Sequence, residues 1–62
     1  MISRFSCLIQ TLGRPAGDGI AFVTVDASNA ARAETTARRV AEARFDCLCE
    51  VTEVTDVTPV AA

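Results

Sequence analysis

Apolar and polar positions alternate along the N-terminal segment of the chain. The apolar side chains on one side are Phe5, Cys7 and Ile9. The positions between them are mainly polar, and the apolar exceptions are Leu8 and Leu12. A period of two is typical of a strand with one buried face. The pattern therefore predicts a β-strand over residues 2–12.

A glycine-rich segment follows, and a second apolar run follows that. Gly13–Gly19 holds three glycines and a proline, a composition that favours a turn or flexible loop. Residues 20–26 are rich in β-branched and aromatic side chains, which favour strands. Because the connection is short, we expect the two strands to pair as an antiparallel hairpin.

The middle of the chain has a helical period. Asn29 is the expected N-cap, with Asp26 and Ser28 as alternatives. Helix-forming residues run from Ala30 to about Arg44. The stripe predicted to be buried consists of Ala30, Ala33, Ala37, Val40 and Ala41. Spacings of three and four place these residues on one face. Since alanine buries little area, we expect Val40 and Phe45 to anchor the helix.

The last apolar segment, residues 47–58, has an irregular strand pattern. Cys47, Cys49 and Val51 share one face, but the following valines are spaced three apart. That spacing predicts a β-bulge or break near Thr52–Thr55. Pro59 is expected to end the strand, and residues 60–62 are expected to fray.

The order of elements is β–β–α–β, which predicts an α+β fold within a single domain, residues 1–62. A right-handed connection through the helix places the third strand beside the first. The prediction is a three-stranded antiparallel sheet of order 2-1-3 with the helix packed on one face. The other face would be open to solvent or to a partner.

Charge and composition restrict the classes of partner. The sequence contains six arginines and eight acidic residues, so its net charge is −2. This balance argues against direct nucleic-acid binding. The chain shows neither a signal-peptide pattern nor a long apolar run, so we expect a cytoplasmic location without membrane contact. A small core and two edge strands make a homodimer one alternative.

The sequence offers little for catalysis. It contains no histidine, the usual general base near neutral pH, and its carboxylates are scattered. We therefore predict no catalytic site and no cofactor. Cys7, Cys47 and Cys49 leave three alternatives: a zinc site, a redox or disulfide role, and core packing. Core packing is favoured, because the spacing is not that of zinc ligands and buried cysteine behaves as a small hydrophobe.

Arginines on the helix are the candidate interface. The residues predicted to bind a partner are Arg32, Arg38, Arg39 and Glu50. Arginine is favoured at protein interfaces, so its cluster could contact an acidic surface. The alternative is a solvated helix face with Glu34 and Arg38 as an ion pair one turn apart.

Two segments carry a resemblance to a known group of proteins. Val23-Thr-Val-Asp-Ala-Ser-Asn-Ala-Ala-Arg-Ala-Glu-Thr-Thr-Ala37 and Cys49-Glu-Val-Thr-Glu-Val54 cover about half of the chain. Their layout resembles that of very small phage-encoded inhibitors of bacterial host machinery. These are the anti-CRISPR proteins of Pseudomonas phages and the podophage inhibitor of host RNA polymerase.

The resemblance implies a non-catalytic protein that binds and inhibits a bacterial host protein complex. The first expectation is a CRISPR–Cas effector. RNA polymerase is the second, because its inhibitors place basic residues where this chain has Glu53 and Thr55, and they carry Trp, which is absent here. A structural homodimer without inhibitory role is the third.

Overall fold

The structure is a computed structural model that describes residues 1–13 and 19–59. The predicted loop at residues 14–18 and the predicted frayed end at residues 60–62 lie outside the described residues. Three strands and one helix form in the predicted order: β1 (Ser3–Leu12), β2 (Ile20–Ala27), α1 (Ala30–Phe45) and β3 (Leu48–Asp56). The sheet has the order β2-β1-β3, and both pairings are antiparallel. The predicted fold is therefore confirmed.

The core lies between α1 and one face of the sheet. Its buried hydrophobic residues are Phe5, Cys7, Ile9, Val23, Val25, Ala27, Ala33, Ala37, Ala41 and Cys49. On β1 and β2 every one of these positions is odd-numbered, because strand side chains alternate between the two faces. The even-numbered side chains of both strands therefore lie on the face away from the helix.

A bulge in β3 explains its irregular pattern. Leu8 lies opposite Glu53 and Ile9 opposite Val51, so Thr52 is an extra residue in the ladder. Its hydroxyl donates a hydrogen bond to the Leu8 carbonyl at 3.3 Å. Because one extra residue shifts the alternation, Val54 joins the core side beyond the bulge. The predicted bulge is confirmed.

Hydrogen bonds cap both ends of α1. Asn29 is the N-cap, and its Oδ1 accepts a hydrogen bond from the Arg32 N–H at 2.9 Å. Asp46 adopts the left-handed conformation at the C-cap, with φ 51°. Its N–H donates to the Glu42 carbonyl at 3.0 Å, which closes the last turn.

The packing of the helix differs from the prediction in two respects. Ala30 is exposed, so its predicted place in the buried stripe is wrong. Val40 and Phe45 are half-buried at the margin of the core. The largest fully buried side chains are Ile9, Thr11 and Cys7, all on the central strand. The sheet, rather than the two expected helix anchors, provides the bulk of the core.

Thr11 ties the two ends of the β1–β2 connection together. Its Oγ1 accepts a hydrogen bond from the Gly19 N–H at 2.7 Å and lies 3.3 Å from the Gly19 carbonyl. The Thr11 N–H donates to the same carbonyl at 2.9 Å. A Cβ atom added at Gly19 would lie 3.2 Å from Thr11 Oγ1. The buried Thr11 hydroxyl therefore requires a small residue at position 19.

We expect the Thr11→Val variant to lose about 1–3 kcal/mol of unfolding free energy, because the change keeps the side-chain shape and removes the acceptor of the Gly19 N–H. Urea unfolding followed by circular dichroism measures the loss. Thr55→Val, at an exposed position of β3, is the control and should change stability by no more than about 0.5 kcal/mol. Equal stability of the two variants would contradict a role for the hydroxyl.

Candidate protein-interaction face

The face of the sheet away from α1 is called the open face here. It is formed by Arg4, Ser6, Leu8, Gln10, Leu12, Ile20, Phe22, Thr24, Asp26, Leu48, Glu50, Glu53 and Thr55. Residues directly opposite in an antiparallel pair share a face, so the register alone assigns these positions. None of them belongs to the hydrophobic core. Among the described residues, folding therefore leaves this face of the sheet uncovered.

Large apolar side chains lie on this face. Ile20 is 75% exposed, Phe22 68% and Leu48 72%. Phe22 lies opposite the half-buried Leu8, and Leu48 lies opposite the half-buried Leu12. Single exposed apolar residues are ordinary, but several on one face mark an interaction surface.

Carboxylates border the apolar residues on the β3 side. Glu50 lies opposite Gln10 and Glu53 opposite Leu8, and both glutamates are exposed. Toward the start of β1, Arg4 Nε bonds Asp26 Oδ1 at 3.1 Å. Both side chains of that pair are more than half exposed, so it contributes little to stability. The open face thus combines apolar side chains on all three strands with carboxylates along β3.

The three helical arginines predicted to bind a partner do not all lie on the same side of α1. Arg32 and Arg39 line one shallow depression on the outer surface of α1, together with Ala31, Thr35 and Thr36. Arg38 lies about 100° around the helix axis from Arg39. Among the described residues the structure records an ion pair at Arg4–Asp26 and none at Glu34–Arg38, so the predicted helical pair is not formed.

Glu50 is separated from all three arginines by the thickness of the domain. It lies on the open face, whereas α1 covers the opposite face of the sheet. The four residues predicted to bind a partner are therefore not brought together into one site. Sequence reasoning also missed Leu48. Its position between two cysteines expected on the core face was the available signal, because alternation then places Leu48 outside.

The register separates the cysteines that were considered as zinc ligands. Cys7 lies opposite Val54, whereas Cys49 lies opposite Thr11. Four residues of strand amount to about 13 Å, which is too far for two ligands of one zinc ion. The zinc-site alternative, which needs all three thiols close together, therefore does not fit this register. Among residues 1–13 and 19–59 no group of three metal-ligating side chains is found.

Cys7 has the environment of a core residue. Its thiol is fully buried and lies 4.0 Å from the Ala33 carbonyl of the helix. Burial raises the pKa of the Cys7 thiol, and the negative charge of Glu34 raises it further. A raised pKa keeps the thiol protonated near neutral pH, and a protonated thiol is a poor nucleophile. This environment fits the packing alternative.

In the part of the chain that the structure describes, no helix is both long and apolar enough to cross a membrane. Comparison of the sequence with protein-family models, with curated proteins and with solved structures found no match.

Proposed function

We propose that this protein is a non-catalytic inhibitor that acts in the bacterial cytoplasm. Its open face would bind a host protein complex, in the first place a CRISPR–Cas effector. The observation that carries the proposal is the open face itself, where Ile20, Phe22 and Leu48 remain largely exposed. A domain this small has few large apolar side chains for its core. Leaving three of them outside favours a surface that a partner covers.

The charges beside the apolar residues indicate the chemistry of the partner. Glu50 and Glu53 would oppose arginine or lysine side chains that border an apolar surface. Complexes that handle nucleic acid display such basic surfaces. This charge pattern agrees with the class of target that the resemblance implies. The pattern supports a CRISPR–Cas effector as the target.

The absence of histidine from the sequence supports a mechanism by binding alone. The carboxylate of Asp56 is engaged locally, since its Oδ1 accepts the Thr58 N–H at 2.9 Å. Hydrogen bonds from the Thr58 backbone and side chain lower the pKa of Asp56, so this carboxyl is even less suited than an ordinary aspartate to act as an acid near neutral pH. Inhibition would then follow from occupation of a site on the host complex.

We expect expression of the protein to restore plating of a CRISPR-targeted phage by orders of magnitude in cells with a matching active system. The physical basis is occlusion of a site that the effector needs. Plating on cells without a CRISPR system should not change. Binding of purified protein to the purified effector complex provides the direct measurement. If no CRISPR type is inhibited but transcription by purified RNA polymerase is, the effector proposal fails and the second target class replaces it.

Variants on the two faces test where binding occurs. The double change Leu48→Thr and Glu50→Arg alters the open face and retains a strand-forming residue. It should weaken binding by about thirtyfold or more, as loss of one strong apolar contact together with reversal of a charge does. Arg38→Glu with Arg39→Glu is the matched double change on the helix. Circular dichroism should show both variants folded. Loss of binding only in the helix variant would overturn the open-face assignment.

A further inference from the structure

The two edges of the sheet are protected to different degrees. Because β1 is central, β2 and β3 each have one side without a neighbouring strand among the described residues. An edge presents main-chain N–H and C=O groups that can pair with another strand, and natural proteins usually block such edges. A comparison of the two edges within one sheet therefore indicates which of them is built to accept a strand.

The direction of the main-chain groups of β2 follows from two hydrogen bonds. The Thr11 N–H donates to the Gly19 carbonyl at 2.9 Å, and these residues continue the β1–β2 register. Hydrogen-bonded pairs alternate along an antiparallel ladder, so the odd-numbered residues of β2 bond to β1. The Val57 N–H donates to the Arg4 carbonyl at 2.8 Å, which shows that even-numbered residues of β1 bond to β3, as alternation requires.

The even-numbered residues of β2 consequently direct their N–H and C=O groups to the outer edge. These residues are Ile20, Phe22, Thr24 and Asp26. Among the described residues, no side chain hydrogen-bonds to the main chain of Ile20, Phe22 or Thr24. The strand carries no charge from Ile20 to Val25, no proline and no register shift. The β2 edge therefore lacks the usual protection.

The β3 edge has several protective features. The outward N–H of Cys49 donates to Glu42 Oε2 of the helix at 3.3 Å. The bulge at Thr52 interrupts the strand near its middle. The acidic residues of β3 are Glu50, Glu53 and Asp56. A blocked amide, a bulge and like charges each oppose pairing with a second strand.

We propose that a second copy of this chain pairs with the first along β2, antiparallel and around a two-fold axis at Val23. The result is a continuous six-stranded sheet with both helices on one side. The axis places Phe22 opposite Thr24 of the second copy and Ile20 opposite Asp26 of the second copy. These are the residues whose main-chain groups point outward, so the ladder can form without rearranging either subunit.

The distribution of side chains favours a second copy of this chain, rather than an unrelated strand, as the partner of β2. A two-fold axis brings identical surfaces together, so an edge without charge from Ile20 to Val25 does not repel its copy. Phe22 of each copy lies next to the axis, whereas Ile20 lies toward the end of the ladder. Glu50 and Glu53 lie on β3, the strand of each copy farthest from the axis. The pairing therefore keeps the carboxylates of Glu50 and Glu53 in the two copies apart.

Sedimentation velocity of the purified protein over a concentration series tests the dimer without any host component. The expected species at high concentration has twice the mass of the chain. A monomer throughout the series would overturn the proposal and would leave the inhibitor function untouched. Failure of the phage assay would likewise leave the dimer untouched, so the two proposals can be separated.

A proline at position 24 tests which edge is used. Because the Thr24 N–H points outward, Thr24→Pro removes two symmetry-related hydrogen bonds of the dimer and none within a subunit. We expect a folded monomer, with a circular dichroism spectrum like that of the original protein. A folded Thr24→Pro variant that still dimerises would overturn the assignment to β2.

Charge exchange tests the register and remains informative if the proline variant does not fold. Phe22→Lys with Thr24→Lys sets like charges opposite each other twice across the axis, whereas Phe22→Lys with Thr24→Glu sets opposite charges there. The first should dimerise about tenfold or more weakly than the second. Glu50→Lys with Glu53→Lys, on the far strand, is the control and should dimerise like the original protein. Equal dimerisation of the two β2 variants, or loss of the dimer in the control, would overturn the proposed pairing.

Discussion

Replacing Ile9 with alanine should leave the protein largely unfolded at room temperature. Ile9 is fully buried at the middle of the central strand, with Ala21 and Val51 opposite it on the two sides. Truncation of a buried isoleucine costs about 2–5 kcal/mol. A core of this size provides only about 3–5 kcal/mol of net stability. The expected loss of unfolding free energy is therefore comparable to the total stability of the domain. The circular dichroism spectrum should show a mostly unfolded chain.

Two further variants calibrate the Ile9 experiment. Ile9→Val should cost about 0.5–1.5 kcal/mol and remain folded. Leu8→Ala changes the adjacent residue on the open face, where the side chain is only half-buried. It should cost clearly less than Ile9→Ala, because part of its surface already contacts water. If Leu8→Ala were the more damaging of the two, the assignment of core and open faces would be reversed.

Ala37→Leu should have the second largest effect on stability. Ala33, Ala37 and Ala41 are fully buried, so α1 lies close against the sheet along this row. A larger side chain at the middle of the row must push the helix away or adopt a strained rotamer. Overpacking of this kind costs about 1–3 kcal/mol, and each kcal/mol lowers the melting temperature of a small domain by about 4–8 °C.

Ala31→Leu is the matched control for the helix variant. Ala31 is exposed on the outer surface of α1, and leucine is almost as good a helix former as alanine. Its thermal melting curve should nearly coincide with that of the original protein. A melting temperature for Ala37→Leu equal to that of the control would mean that the helix does not pack closely on the sheet.

Local patterns predicted the elements of the fold because each depends on neighbours in sequence. Alternation defined β1, and Asn29 before an alanine-rich segment marked the start of α1. The bulge was also predictable, since Val51 and Val54 can both face the core only if an extra residue lies between them. The strand order followed from the hand of the connection, which is a general rule.

Side-chain contacts between different elements were not predictable from these patterns. The hydrogen bond from Cys49 to Glu42 joins the helix to the edge of β3, and no periodicity in either segment encodes it. The prediction for the candidate interface had a similar limit. Arg39 and Glu50 are close in sequence, but they occupy opposite sides of the domain because α1 and the open face lie on either side of the sheet.

The hydrogen bonds between Thr11 and Gly19 have a practical consequence for work on this protein. They fix the two ends of the connection independently of the residues that join them. The entropy of closing a loop rises only slowly with its length, by about 0.6 kcal/mol for each doubling. An epitope or a fluorophore-binding sequence could therefore be inserted between Gly13 and Gly19, beyond the last residue of β1. It would report on the protein in cells.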